Sequence, residues 1–90
     1  MTLTSSREYG FRSDKVFFLH TFSCGSYGTI VEITAEPELQ GRLMGMGLFV
    51  GTRFQLLQGG RQSRLPLILA VGDTRIAIGP EIAKTLLVEE

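Results

Sequence analysis

From Tyr27 to Thr34 the chain comes close to alternating apolar and polar side chains, with Ile30, Val31 and Ile33 set beside Thr29 and Glu32. Alternation places successive side chains on opposite faces of a pleated strand, and β-branched residues suit that geometry. A strand is therefore predicted there. The pattern returns from Thr52 to Gln58, where Phe54 and Leu56 share one face and Arg53 and Gln55 the other. Leu65 to Val71 reads as a third strand, with Pro66 near its start, where the loss of a ladder donor is tolerated at a sheet edge. Gly72-Asp73-Thr74 connects it tightly to Arg75-Ile76-Ala77-Ile78, and the pair reads as a hairpin. Leu86-Leu87-Val88 supplies a final strand.

The period changes between the first two strands. Leu39, Leu43 and Met46 are spaced for one face of a helix. Glu36-Pro37-Glu38 marks its start: a proline at the first turn gives up no intrahelical bond, and carboxylates favour the positive end of the helix dipole. Gly45 weakens the last turn, and Gly47 offers a left-handed stop. Gly79-Pro80-Glu81 opens a single helical turn through Ala83. Val16 to Phe22 predicts a short strand or turn of helix across one end, followed by a turn at Gly25-Ser26. Residues 1–15 are polar and aperiodic and read as a flexible leader, which leaves 16–90 as one domain. The expected fold is mainly β: a small SH3-like antiparallel barrel of about five strands, with one short helix in the first crossover and a helical turn before the last strand.

Composition narrows the class. Hydrophobic residues make up 43% of the 90 and charged residues 20%, which suits a folded domain and not a disordered chain. A domain of this size buries only about 60 to 65% of its unfolded surface, so the core is thin. Nine basic residues balance nine acidic ones, so no net field draws nucleic acid or anionic lipid. Arg53, Arg61, Arg64 and Arg75 nevertheless face only Asp73 within their stretch. That edge could orient the domain on an acidic partner, although a solvated basic edge explains it as well. Phe54 is the sole aromatic there, which leaves no stacking platform for nucleic acid. The run Val16-Phe17-Phe18-Leu19 stops at His20, far short of a signal core or a membrane span. The chain reads as soluble and cytoplasmic, reaching a membrane only through a partner.

Catalysis and metal binding need convergent groups, and the chain holds one His and one Cys. His20 and Cys24 would share a helical face, but Gly25 argues for a turn, and Zn²⁺ needs three or four ligands. They remain the only metal candidates beside carboxylates such as Glu32, and neither an enzyme nor a cofactor is expected. The glycines around Gly41, Gly45 and Gly47 lack the Lys-Ser or Lys-Thr of a phosphate loop. Apolar surplus is more informative. Leu39, Leu43, Met44, Met46, Leu48 and Phe49 exceed what one face of a two-turn helix packs, so an exposed patch is expected at Met44, Leu48 and Phe49. The loop carrying Arg61, Arg64, Leu65 and Pro66 is the alternative interface.

The run Arg42-Leu43-Met44-Gly45-Met46-Gly47-Leu48-Phe49-Val50-Gly51-Thr52 resembles the Arg-Leu…Gly-Leu-x-Pro-Gly-Thr segment of the FeoA family. Pro66-Leu67, the Gly72 hairpin, Ile76-Ala77-Ile78, Glu81-x-Ala83 and Val88-Glu89 follow in the same order. Val50 stands where the family usually has Pro, and Gly79-Pro80 replaces a basic pair. The resemblance implies an SH3-like barrel and a cytoplasmic accessory role beside the ferrous-iron permease with its GTP-binding domain, with homo-oligomers possible. The same barrel is appended to metal-dependent repressors, so the alternative implied role is a transition-metal-binding or metal-sensing domain. Because strands and helix face provide a core without any ligand, the protein is expected to fold metal-free. Circular dichroism after chelation should keep its β signal, and loss of that signal would overturn the non-metal reading.

Overall fold

The computed structural model describes residues 16–61 and 64–90. The leader expected at 1–15 lies outside the described residues. Six strands run in the order β1 (Val16–Phe18), β2 (Tyr27–Ile33), β3 (Arg53–Gln58), β4 (Leu67–Val71), β5 (Thr74–Ile78) and β6 (Leu86–Glu89). Helix α1 (Pro37–Gly45) joins β2 to β3, and the single turn α2 (Pro80–Ala83) precedes β6. All pairings are antiparallel, and the sheet order is β1-β6-β2-β3-β4-β5. This is the mainly β, SH3-like architecture that the alternation predicts.

The sixth strand comes from the first apolar run, which forms both elements offered for it. Val16, Phe17 and Phe18 pair with Glu89, Val88 and Leu87, and Leu19–Thr21 then tightens into a 3₁₀ turn. Strand β4 starts at Leu67 and not at Leu65: Pro66 has no N–H to give the ladder, and its carbonyl instead accepts a bond from Gln58 Nε2 at 3.0 Å. The hairpin loop is Gly72-Asp73 alone, because Thr74 already pairs with Val71.

Register sorts the two faces. Leu56, Leu69 and Ile76 stand opposite one another and are buried, as is the Ile30–Val88 pair between β2 and β6. One residue along, Tyr27, Gln55, Ala70 and Arg75 form a row on the solvent face. Leu19 and Phe22 close one end of the core. The Phe22 ring lies 5.7 Å from that of Phe54 and 6.0 Å from that of Phe17 in tilted pairs, a geometry favoured by the ring quadrupole.

Helix α1 ends as Gly47 predicts, and its ending overturns one expectation. Gly47 has φ +98° and donates to Met44 C=O at 3.0 Å, while Leu48 N–H reaches back to Leu43 C=O at 2.9 Å. These are the two bonds of a Schellman motif, whose last residue packs against the third-from-last helical one. Leu43 and Leu48 are accordingly both 0% exposed. Leu48, expected on the surface, belongs to the core.

The Phe22–Ser26 segment is laced to β3 by Gly25 N–H to Leu56 C=O at 2.6 Å and Leu56 N–H to Ser26 C=O at 2.9 Å. Gly60, at φ +85°, passes so near that a β-carbon would collide with the Phe22 carbonyl. Gly25 is also left-handed, at φ +93°, but opens on empty space. Gly25→Ala should therefore cost only the conformational strain, about 1–2 kcal/mol. Gly60→Ala adds a backbone collision and should exceed about 3 kcal/mol. Thermal melts of the two variants check this, and equal losses would remove the role of the close approach.

Candidate partner-docking groove

The helix that buries Leu43 exposes its neighbour. One residue along a helix rotates the side chain by about 100°, so Met44 leaves the face that carries Leu43 and half-buried Leu39, and stands 61% exposed. Past the Schellman turn the chain doubles back through Thr52, a polar residue only 7% exposed. Its hydroxyl donates to Gly47 C=O and accepts from Phe49 N–H, each at 3.1 Å. Thr52 N–H donates to Phe49 C=O at 2.9 Å, Gly51 N–H to Ile30 C=O at 2.8 Å, and Ile30 N–H to Thr52 C=O at 2.9 Å. So pinned to β2, the turn projects Phe49 and Val50 outward, 45% and 60% exposed.

Strand β2 supplies the facing wall. A register shift between Ile30 and Glu32 breaks its alternation, and Val31 and Ile33 are left half-buried. Together with Gln40, Met44, Phe49 and Val50 they enclose an open groove of about 430 Å³, with Glu32 on its rim and Leu48 beneath. Gln40 is held in place by donating to Ala35 C=O at 2.6 Å. The lining is mostly apolar side chain, and Met44 adds a thioether that adapts to irregular surfaces. Such a groove can desolvate a partner's apolar groups.

Of the groove's lining residues only Glu32 carries an ionisable side chain. His20 sits on the 3₁₀ turn beside Phe18, with its Nδ1 buried and unbonded. The Cys24 thiol is exposed and donates to Leu57 C=O at 3.3 Å. Among the described residues no group of three or more His, Cys, Asp or Glu could hold a metal ion. The alternative interface lies elsewhere: Arg61, Arg64, Leu65 and Pro66 are exposed on the β3–β4 connection and line no part of the groove. Arg61, at φ +49°, is fixed there by its N–H to Phe22 C=O at 3.0 Å and by its guanidinium on Ser23 Oγ at 2.7 and 3.0 Å.

Of the residues expected at an interface, the structure brings Met44 and Phe49 together over Leu48. Sequence reading missed Val31, Ile33, Gln40 and Val50. Val50 had a signal, as the third member of the apolar run after Gly47. The β2 pair had a faint one: Ile30 and Val31 are adjacent apolar residues that interrupt the alternation at the point where the register shifts.

The FeoA domain family matches residues 18–90. The chain is similar to the crystal structure of the iron uptake regulatory protein FeoA, at 31% identity and a TM-score of 0.75, covering 82% of this chain and 96% of that one. The FeoA protein from Chlorobium tepidum is 20% identical with a TM-score of 0.71, covering 81% of this chain and 69% of its own. A manganese-dependent transcriptional repressor is 18% identical with a TM-score of 0.73, over 83% of this chain and 41% of the repressor. The last two likenesses show the fold alone. No curated protein sequence matches.

Burial separates neighbours in this segment. Met44→Gln and Phe49→Ser should each shift stability by no more than about 1 kcal/mol. Leu48→Ala should cost roughly 2–5 kcal/mol, because it opens a cavity under the helix end. Denaturant melts check the split. Equal destabilisation by all three would show Met44 and Phe49 to be core.

Proposed function

The chain belongs to the FeoA domain family, and on that premise we propose that it is a non-enzymatic cytoplasmic accessory protein of ferrous-iron transport that docks on the ferrous-iron permease. The observation that carries the reading is the exposure of Met44, Phe49 and Val50 around one groove. A thin core leaves these side chains in water, and a partner surface that covers them recovers the cost of their hydration. Iron is read as the permease's cargo. Among the described residues no helix is long and apolar enough to cross a membrane, and in this reading contact with the bilayer runs through the permease.

A second reading, a metal-sensing domain, draws on the fold likeness to the manganese-dependent repressor. It requires His20 or Cys24 to join ligands from a second chain. Calorimetric titration with Fe²⁺ and Mn²⁺ separates the two readings, because docking needs no heat of metal binding.

The decisive experiment is a pull-down with the permease's cytoplasmic domain. Met44→Gln and Phe49→Ser should each weaken capture about tenfold or more, as truncation of a central apolar anchor does. Undiminished capture by both, with loss on changing Arg64 and Leu65, would move the interface to the β3–β4 connection.

A further inference from the structure

A second groove, of about 440 Å³, runs along the solvent face of β2 to β5 and shares no lining residue with the apolar one. Its walls are Tyr27, Arg53 and Arg75, and Ala70 and Gly72 keep its floor low. Both arginines are exposed, and Tyr27 is 70% exposed. Among the described residues, neither guanidinium has a carboxylate within ion-pair distance. Glu90 lines the same groove without reaching either arginine, so within the lining two positive side chains face one negative, and Glu89 stands at the edge in the row Glu89–Thr29–Arg53.

The register sets the spacing. Arg75 stands opposite Ala70, which stands opposite Gln55, and Arg53 lies two residues along β3 from Gln55. Two strand spacings and one two-residue step put the arginine backbones roughly 10–12 Å apart. Carboxylates two to four residues apart on an extended chain are separated by about 7–13 Å. A guanidinium presents a planar fork of donors that matches a carboxylate. Small residues between the two forks leave room for a backbone to pass.

We propose that this groove binds an extended acidic segment of a partner protein, with Arg53 and Arg75 each taking one carboxylate and Tyr27 forming the wall. The proposal stands on residues other than those of the apolar groove. Glu90 opposes the ligand from within the groove.

The test is amide-resolved NMR titration of the protein with a capped Glu-Thr-Glu-Thr-Glu peptide, a Gln-Thr-Gln-Thr-Gln control and inorganic phosphate. The acidic peptide alone should shift Thr29, Arg53, Gln55 and Arg75. Arg53→Gln and Arg75→Gln should each weaken binding about threefold, and the pair about tenfold, as expected of solvent-exposed ion pairs. Glu90→Gln should tighten it, added salt should weaken it, and Met44→Gln should leave it unchanged. Equal shifts from the Gln control or from phosphate would overturn the proposal. So would a failure of the double variant to weaken binding, or a concentration-dependent dimer abolished by it, which would give the groove to a second copy.

Discussion

The hydroxyl of Thr52 joins the helix, the sheet and the apolar groove. A buried polar group is costly unless its hydrogen bonds are made, and this one both donates to Gly47 and accepts from Phe49. The same residue's backbone ties the turn to Phe49 and Ile30. A loop with every inward polar group paired can lie against the core. That allows Leu48 to enter the core on one side while Phe49 and Val50 leave it on the other.

The rest follows from a shortage of interior. Six short strands and one nine-residue helix enclose a core built around Leu43, Leu48, Ile30, Leu56, Leu69 and Val88. Gly28 lets the Phe22 and Phe54 rings lie on the sheet, since a β-carbon there would stand 2.9–3.0 Å from both. Once those positions are filled, Met44, Phe49 and Val50 have no inner site left. Their surface stays in water around the groove, and that exposure is what supports the docking reading.

The fold alone does not assign this role, because a repressor domain shares it. Val50, where the family usually has Pro, falls on the rim of the apolar groove, 60% exposed. Its turn is held by the hydrogen bonds of Gly51 and Thr52. The basic face of β3 and β5 is a separate surface, set by strand register and independent of α1.

Much of the architecture was legible in local pattern. Alternation from Thr52 to Gln58 marked the strand observed at Arg53–Gln58, Glu36-Pro37 the start of α1, and Gly47 its end, because period, proline and left-handed glycine act over a few residues. The exposure of Met44 followed from helical rotation past Leu43. Leu48 was misplaced because a surplus of apolar residues says that some must be exposed and not which; the Schellman turn at Gly47, which sets Leu48 against Leu43, decides that. Val31 and Ile33 joined the groove through a bulge against β6, a strand more than fifty residues away. Arg53 and Arg75 were visible as charges in one stretch, yet their common groove depends on the pairing of β3, β4 and β5. Local backbone preference writes elements into sequence, whereas which side chains share a surface is settled by long-range strand register, where no short window of residues carries the signal.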